Sequence, residues 1–454
     1  MKAGLRGTIA RTAGRVSRAG GRGGTSIPGK VLLRLHPHAI GAMAGKLAHG
    51  NAVISATNGK TTTAAMVAGI LERGDAQLVH NRAGANMAGG IAATLLEQTG
   101  DTGLFEVDEF WLGQVVEELR PRALLLANLF RDQLDRYGEL DIIADRWADV
   151  VAAPAKAGRA GPALVLNADD PLIADLGRDD AGAIYFGVQD TSLALAGMQH
   201  AADSKHCRRC GAPYVYDAIF LGHLGHYHCD ACGARRPEPS VVADEVVLHG
   251  VRGATFTLRT PAGSERIDLP LPGLYNVYNA IAAAALALAL DAPFADVVAG
   301  LRDVAPAFGR AETVTVAGRP MSIMLVKNPA GANEVLRTLA LEDGQHDVFC
   351  VLNDNIADGR DVSWVWDADY EILAPRIRRA VCSGTRAAEM AVRLKYAGVP
   401  PDRLVVEPGL EAGLDRALAA SPAPDRLFAL PTYTAMLALR EKLVARGVAG
   451  SSFG

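Results

Sequence analysis

A Gly-Lys-Thr turn between an apolar run and a helical pattern constrains this chain more than any other segment. Residues 52–54 predict a strand, residues 64–71 predict a helix, and the turn Ala56-Thr-Asn-Gly-Lys-Thr-Thr62 joins them. A strand, a tight turn and a helix in this order direct backbone N–H groups towards phosphate oxygens. The segment therefore predicts a nucleotide phosphate site within a fold that alternates strands and helices.

The side chains of the turn indicate how a nucleotide would bind. Lys60 would neutralise charge on the β- and γ-phosphates, and Thr61 would offer its hydroxyl group to Mg²⁺. The strict pattern of such loops fails, because Ile54 stands where the first glycine is expected. A chance Gly-Lys-Thr is the alternative, but the flanking strand and helix favour ATP. The candidate nucleotide-binding residues of the turn are Thr57, Asn58, Gly59, Lys60, Thr61 and Thr62.

Three carboxylates at the end of a second predicted strand are candidate metal ligands. Glu106, Asp108 and Glu109 end or follow the strand predicted for residues 102–107. Carboxylates at the C-terminal ends of parallel strands commonly hold the Mg²⁺ that accompanies ATP. We expect a magnesium site here, and the alternative is a solvated acidic strand end.

Strand and helix patterns alternate along most of the chain, which predicts an α/β fold with a parallel sheet. The 454 residues are 49% hydrophobic and 21% charged, enough for about three domains of ~150 residues. We predict a basic arm and lead-in at 1–45, a central ATP-binding domain at 46–305, a linker at 304–312 and a smaller C-terminal α/β domain at 313–454. Strands are predicted at 52–55, 102–107, 123–129, 163–167, 241–248, 255–260, 264–269, 321–327, 348–352, 377–383, 403–406 and 427–430.

Two Cys-x-x-Cys pairs predict a zinc ribbon inserted at about residues 203–236. The pairs lie about eighteen residues apart, the spacing of a Cys₄ site, at Cys207, Cys210, Cys229 and Cys232. Four thiolates leave no coordination position for water, so the zinc would be structural. A disulfide framework is the alternative, and it would require a secreted protein.

The N-terminal region and the net charge bear on possible partners. Residues 1–30 are basic and glycine-rich, contain no acidic residue, and lack the apolar segment of a secretory signal. We expect a mobile arm that rests on anionic lipid or is merely solvated. A net charge of −4 gives no reason to expect nucleic-acid binding. No run reaches the ~18 apolar residues that span a bilayer.

Several motifs in one order resemble the Mur ligase family, which forms amide bonds in peptidoglycan precursors. Besides the turn and Glu106 they are Asn128 to Tyr137, Leu166-Asn-Ala-Asp-Asp-Pro171, Leu271-Pro-Gly-Leu-Tyr-Asn276 and Gly309-Arg310. The resemblance covers about residues 40–312. It implies that Lys60 binds phosphate, that Glu106 is a Mg²⁺ ligand, that Asn276 approaches adenine and that Arg310 contacts the nucleotide.

At two places the chain departs from the Mur ligase pattern, and these departures point to one subgroup of the family. Asp132-Gln133 replaces the Asp-His of the Mur enzymes, so the resemblance does not carry over the family's second metal site. Leu325-Val-Lys-Asn-Pro329 replaces their Asp-Tyr-Ala-His at the start of the last domain. Together with the Cys₄ insertion, the acidic segment 353–367 and Pro431-Thr-Tyr-Thr-Ala-Met436, they resemble the MurT subunits of lipid II isoglutaminyl synthase. The resemblance implies ATP-dependent amidation of the D-glutamate α-carboxyl of lipid II. A GatD-type glutamine amidotransferase would supply ammonia in a heterodimer, in the bacterial cytoplasm at the inner membrane face.

The two cysteines outside the Cys-x-x-Cys pairs indicate that any ammonia would come from a partner. Glutaminase chemistry needs an activated cysteine, whereas Cys350 and Cys382 lie in apolar runs that predict buried thiols. The resemblance implies that the partner lacks the acid of its catalytic triad and that this chain donates it from an accessible loop. Asp361 is the first candidate catalytic acid, followed by Asp358 and Asp354. Each could instead cap a helix or pair with a neighbouring arginine.

Two other functions stay open on the sequence. A ligase of Mur or folylpolyglutamate synthetase type, adding a whole amino acid, would share the ATP site, but the two departures disfavour it. An ATP-binding regulatory protein could dock nucleic acid through its ribbon, which carries Arg208, Arg209, Arg235 and Arg236. The net acidic charge and the few interleaved aromatic residues disfavour that function.

Overall fold

The computed structural model describes Thr12 and residues 26–81, 85–132, 140–200, 202–305, 310–419 and 425–448. Within these residues the chain forms two open sheets and one separate hairpin. The basic arm predicted at the N-terminus lies outside the described residues as far as residue 25, apart from Thr12. Two short helices, α1 (Ile27–Leu35) and α2 (Ala39–Ala44), precede the first sheet.

The first sheet alternates with helices in the predicted manner. Its strands are β1 (Asn51–Ser55), β2 (Leu78–His80), β3 (Thr102–Glu106), β4 (Ala123–Leu126), β5 (Ala163–Asn167), β6 (Ile184–Val188), β9 (Val241–Leu248), β10 (Ala254–Thr260) and β11 (Gly263–Leu269). The accompanying helices are α3 (Lys60–Leu71), α4 (Ala88–Glu97), α5 (Leu112–Leu119), α6 (Leu140–Lys156), α7 (Pro171–Ala174), α8 (Leu274–Ala289) and α9 (Phe294–Arg302). The separate hairpin consists of β7 (Val215–Leu221) and β8 (Leu224–His228).

The strand order explains where a ligand would bind. The order is β11-β10-β9-β6-β5-β4-β1-β3-β2, and all neighbours from β9 to β2 are parallel. Strands β10 and β11 extend one edge as an antiparallel hairpin. Because β1 lies between β3 and β4, the chain leaves its carboxyl end at a point where the strand order reverses. Open α/β sheets bind ligands at such points.

Alternating side chains of the central strands fill a core on each face of the first sheet. Leu125 of β4 packs in the core that contains α3, α8 and α9, whereas Leu124 and Leu126 pack in the core with α4, α5 and α6. The alanines of α8 from Ala280 to Ala287 are fully buried, so this Ala-rich helix lies inside the protein. Among the described residues, no helix combines the length and apolar character needed to cross a bilayer.

The second sheet also alternates with helices. Its strands are β12 (Arg310–Val316), β13 (Arg319–Met324), β14 (His346–Val351), β15 (Ile377–Ser383), β16 (Leu404–Val406) and β17 (Leu427–Pro431), in the order β12-β13-β17-β14-β15-β16. Only β12 is antiparallel to its neighbour. The helices are α10 (Pro329–Ala340), α11 (Ala387–Tyr396), α12 (Leu410–Ala419) and α13 (Tyr433–Ala445). This confirms a second, smaller α/β sheet after residue 310.

The structure corrects the strand predictions at three places. Strand β4 ends at Leu126 and not at residue 129, because the following backbone turns to bond the phosphate turn. The linker predicted at 304–312 is wrong at its end, since Arg310 already pairs with Met324 in the edge strand β12. The predicted strands also lack β2, β6, whose apolar sequence pattern is interrupted by Gly187, and both strands of the hairpin.

Candidate functional site

The turn after β1 has the backbone conformation that close packing at a phosphate site requires. Gly59 precedes α3 with φ +87°, a left-handed value that L side chains rarely adopt. A Cβ at this position would come within 2.0 Å of Oδ1 of Asn279 on α8. Glycine therefore permits both the turn and the close approach of α8. The backbone N–H groups at the start of α3, together with the positive end of its dipole, favour an anion here.

Lys60 is held at this turn by a buried ion pair. Its Nζ lies 2.9 Å from Oε2 of Glu109, and it also donates to the carbonyl oxygen of Ala56. Burial alone would lower the pKa of Lys60, but the carboxylates of Glu109, Glu106 and Asp108 outweigh that effect and raise it. Lys60 therefore keeps its positive charge inside the protein.

Lys327 brings a second positive charge to the turn from the other sheet. Its Nζ donates to the carbonyl oxygen of Thr57 at 3.1 Å and to Oδ2 of Asp132 at 2.6 Å. Burial would raise the pKa of Glu109, but Lys60 and Lys327 lower it overall. The sequence analysis missed this role of Lys327. The available signal was a lysine at the end of a predicted strand, directly before an Asn-Pro helix start.

Thr61 and Glu106, the two predicted magnesium ligands, are adjacent. Oγ1 of Thr61 donates to Oε2 of Glu106 at 2.8 Å. Asn81 fixes the backbone of Glu106 by donating to its carbonyl oxygen and accepting from its N–H. Glu106, Asp108 and Glu109 are all less than a tenth exposed, so the alternative of a solvated strand end is wrong. Oxygen donors placed this way fit the hard oxygen ligands that Mg²⁺ takes.

The segment after β4 is bonded to the turn along its length. The side chain of Asn128 accepts from the N–H of Asn58 at 2.9 Å and donates to its carbonyl oxygen at 3.0 Å. The N–H of Thr57 donates to the carbonyl oxygen of Asn128, and the N–H of Phe130 donates to Oγ1 of Thr57. Residues 133–139, with Gln133 of the Mur-like motif, lie outside the described residues.

The predicted adenine residue Asn276 reaches the turn only through Asn279. Nδ2 of Asn279 donates to Oδ1 of Asn276 at 3.0 Å, and Oδ1 of Asn279 accepts from Oγ1 of Thr63 at 3.3 Å. Asn276 itself is 2% exposed and donates to the carbonyl oxygen of Pro272. Thr62 is buried within α3. The side chain of Arg310 lies outside the described residues.

A small open cleft lies between the loop after β4, Lys327 and the acidic segment of the second sheet. One wall comes from the loop after β4 and the other comes from the residues after β13 and β14. Its lining includes Arg131, Asp132, Lys327, Asp361, Trp364 and Asp367. The acidic segment therefore lines the same cleft as Lys327, whose Nζ also contacts the backbone of the phosphate turn.

The three acids proposed for a partner's triad differ in accessibility. Asp361 is exposed, and its Oδ1 accepts from the N–H of Ser363 at 2.8 Å, which lowers the pKa of its carboxyl. Asp358 is 5% exposed and accepts from both the N–H and the hydroxyl of Thr434. Asp354 bonds a threonine hydroxyl and an arginine. Asp361 is the acid that this arrangement leaves most open to another chain.

The four cysteines of the insertion form one cluster. All four sulfurs lie within 4.8 Å of one another, and Cys207 to Cys232 and Cys210 to Cys229 measure 3.6 and 3.5 Å. A tetrahedral zinc with Zn–S of ~2.3 Å requires sulfur separations of roughly 3.8 Å. Disulfides require ~2.05 Å, and all six cysteines are free thiols, so the disulfide alternative is wrong. The donor set fits a structural zinc site.

The two remaining cysteines are unsuited to nucleophilic catalysis. Cys350 and Cys382 are 2% and 0% exposed in neighbouring strands, as predicted. Burial raises the pKa of the Cys350 thiol to about 12 and that of Cys382 well above its ordinary value. Only the thiolate attacks an amide carbon, so neither residue can serve a glutaminase reaction at neutral pH.

Comparison with known proteins shows the family to which the chain is related and the fold that it shares. The family models described as Mur ligase middle domain and MurT ligase C-terminal match residues 54–227 and 325–436. The lipid II isoglutaminyl synthase (glutamine-hydrolyzing) subunit MurT of Staphylococcus aureus strain N315 is 32% identical over 440 residues, 96% of each chain. The same subunit of Streptococcus pneumoniae R6 is 32% identical over 94% of each chain.

Two solved structures show the same fold. A pseudomurein peptide ligase type C from Methanothermus fervidus has a TM-score of 0.69 at 23% identity, covering 89% of this chain and 80% of that one. Folylpolyglutamate synthase of Mycobacterium tuberculosis, complexed with ADP and AMPPCP, has a TM-score of 0.61 at 17% identity, covering 90% and 96%. Both likenesses concern the fold alone.

The Lys60–Glu109 pair predicts a defined pH range of stability. Folded Glu109 has a pKa below its ordinary 4.5 and folded Lys60 has a pKa above its ordinary 10.5. The stability from Glu109 is therefore present above pH 4.5 and is lost as the pH falls through its lowered pKa. The stability that Lys60 contributes is present below pH 10.5 and is lost as the pH rises through the raised pKa of Lys60.

Glu109→Gln should lower the free energy of unfolding by about 3 kcal/mol near neutral pH and flatten its decline in acid. Urea unfolding between neutral pH and acid measures both effects. Glu411→Gln, which removes an exposed acid paired with Lys442, is the matched control and should leave the profile nearly unchanged. A Glu109→Gln protein with the wild-type acid profile would contradict the pair's contribution.

Proposed function

The chain belongs to the family of MurT subunits of lipid II isoglutaminyl synthase, and from this membership we propose that it amidates a lipid II carboxylate with ammonia from a partner. It is a ligase of Mur type. The carboxylate is the D-glutamate α-carboxyl of the stem peptide, the product is D-isoglutamine, and the partner is a GatD-type glutaminase. The reaction takes place at the inner face of the bacterial cytoplasmic membrane, where a lipid-linked substrate is accessible.

One observation carries the proposal: Lys60, Thr61 and Glu106 meet at the carboxyl ends of β1 and β3. ATP would supply the phosphoryl group that turns a carboxylate oxygen into a leaving group, which ammonia then displaces. Lys60 is placed to neutralise charge on the transferring group. Thr61 and Glu106 would hold Mg²⁺, and the N-terminus of α3 would bind the phosphates. Lys327 would add positive charge where the carboxylate must approach.

Two features support a separate source of ammonia. The cysteines outside the Cys₄ cluster are buried and protonated, so the chain has no thiolate nucleophile for glutamine. Asp361 is exposed on a loop that lines the same cleft as Lys327. We assign Asp361 to the partner's triad, where it would orient a histidine and stabilise its positive charge. Ammonia released beside Asp361 would then lie close to the phosphate site.

The Cys₄ cluster would hold a structural zinc ion. Each half has the same turn, with the N–H of Gly211 donating to the carbonyl oxygen of Cys207 and the N–H of Gly233 donating to that of Cys229. Both glycines adopt left-handed φ values, so the two halves have matching backbones. Four sulfur ligands favour zinc and exclude a water ligand, so the ion would stabilise the insertion and take no part in the chemistry.

Reconstitution tests the amidation. The chain, a GatD-type glutaminase, glutamine, ATP and lipid II should give a product lighter by the mass difference between OH and NH₂. Lys60→Met should lower the rate by about 10²–10³-fold, since charge on the transferring group loses its counterion. Mass spectrometry reads the product and an ADP assay reads ATP use. Lys156→Met, an exposed lysine of α6, is the control. ADP release without a mass change would refute the proposal.

Asp361→Asn should abolish glutaminase activity in the complex while ATP binding by this chain stays intact. The amide cannot stabilise a histidine cation, and a loss of at least ~100-fold is expected. Ammonia release from glutamine is the measurement. Asp354→Asn, placed on the same segment but bonded to Thr385 and Arg386, should retain activity. Retention in Asp361→Asn with loss in Asp354→Asn would move the assignment to Asp354.

The zinc proposal is tested by metal content. The purified chain should carry about one zinc ion, and Cys210→Ser with Cys232→Ser should remove it, because two sulfurs bind zinc too weakly. His228→Ala, a nearby histidine outside the sulfur cluster, should keep the metal. Elemental analysis of the three proteins gives the answer. A wild-type chain without metal, or a double variant with full zinc, would show that the site does not bind zinc.

A further inference from the structure

Arg131 lies between the Cys₄ insertion and the acidic segment at the wall of the cleft. Its backbone N–H donates to Oδ2 of Asp203 at 2.9 Å, and its Nε contacts Oδ1 of the same carboxylate. On the other side, its Nη1 lies 3.7 Å from Oδ2 of Asp367. One side chain thus touches the root of the insertion and the end of the segment that carries Asp361.

The root of the insertion is firmly attached to the loop that carries Arg131. Asp203 is 5% exposed, and its N–H donates to Nδ1 of His223 at 3.3 Å. The fully buried His223 ring lies 4.8 Å from the ring of Phe130 and 3.5 Å from Oδ1 of Asp170. The other oxygen of Asp170 accepts from the N–H of Leu129. Phe130 and Arg131 therefore contact residues of the insertion directly. Leu129 is held by Asp170, which in turn contacts His223.

The same loop is fixed to the phosphate turn. Asn128 and Phe130 bond the backbone and hydroxyl of Thr57 and the backbone of Asn58. A planar guanidinium held through Nε by a buried carboxylate has a set direction, which a lysine cannot reproduce. Arg131 is therefore a rigid arm whose base belongs to the nucleotide site and whose tip faces the second sheet.

The guanidinium group of Arg131 faces the short helical turn that follows Asp361. Oδ1 of Asp361 accepts from the N–H of Ser363, the first residue of the helical turn Ser363–Trp366. The N–H of Asp367 donates to the carbonyl oxygen of Trp364 at the end of that turn. Asp361 and Asp367 are thus bonded to opposite ends of one short helical turn, so the position of Asp367 bears on that of Asp361.

We propose that Arg131 is a positioning residue, which transmits the arrangement of the nucleotide-site loop to the turn that presents Asp361. The inference rests on the proposed function, because it takes Asp361 to orient a histidine of the partner. Arg131 touches neither glutamine nor that histidine. It sets where Asp361 stands relative to the phosphate turn, and so links the two chemistries of the complex.

The test compares glutaminase kinetics and nucleotide affinity in Arg131→Gln. In the complex with the glutaminase, kcat for ammonia release should fall about fivefold, while KM for glutamine stays within about twofold. The Kd of a non-hydrolysable ATP analogue on this chain should also stay within about twofold. Asp203→Asn should lower kcat in the same way, and the double variant should lower it no further, since both changes release one arm.

Arg209→Gln is the matched control. Nε of Arg209 also bonds a carboxylate, that of Asp175 directly after α7, at 2.6 Å, and this contact joins the insertion to the first domain away from the cleft. Its kcat should equal that of the wild type, which separates the role of Arg131 from general loosening of the insertion. Arg131→Lys, which keeps the charge, should recover only part of the loss, and thermal melting checks that each variant folds.

The outcomes distinguish this inference from the proposed function. Wild-type glutaminase kcat in Arg131→Gln, with strong loss in Asp361→Asn, would overturn the positioning role alone. Equal loss in Arg209→Gln, or a parallel loss of nucleotide affinity in Arg131→Gln, would overturn it as well. Retained activity in Asp361→Asn would instead refute the assignment of Asp361 on which the inference rests.

Discussion

The buried pair of Lys60 and Glu109 is the interaction on which the rest of the site depends. The turn after β1 concentrates positive charge, from Lys60, Lys327 and the start of α3, where no water can solvate it fully. Glu109 balances that charge, and in return the two lysines keep its own carboxyl ionised. A phosphate group approaching the turn would meet Lys60 already charged and desolvated. The phosphate would then compete with Glu109 for contact with the Lys60 ammonium group.

The topology explains why these groups meet. Strands β1, β3 and β4 are neighbours in the sheet although other elements separate them in sequence. The phosphate turn, the carboxylates after β3 and the loop after β4 therefore emerge side by side. The insertion and the second sheet then close on this edge through Asp203 and Lys327. A single cleft lined by Lys327 and Asp361 would bring the proposed amidation site and the proposed partner contact near one another.

Much of this arrangement could be predicted from the sequence because it depends on local patterns. The turn, the strand ends and the Cys-x-x-Cys pairs each encode their geometry within a few residues, and the structure brings Thr61 to Glu106 and the four sulfurs together. Contacts between distant segments could not be predicted in this way. Lys327 was noticed only as a departure from a family motif, and nothing near Arg131 indicated Asp203 or Asp367. Asn276 lies behind the turn, bonded through Asn279, because the close packing of α8 fixes its position.

The central claim is that the turn after β1, with Lys60, Thr61 and Glu106, binds the phosphates and metal of ATP. A crystal structure of the chain with Mg²⁺ and a non-hydrolysable ATP analogue tests it most directly. The account predicts a phosphate oxygen within hydrogen-bonding distance of Nζ of Lys60. It also predicts Mg²⁺ at ~2.1 Å from Oγ1 of Thr61, with Glu106 in its coordination sphere directly or through water. A nucleotide bound elsewhere, or phosphates that contact neither Lys60 nor the start of α3, would contradict it.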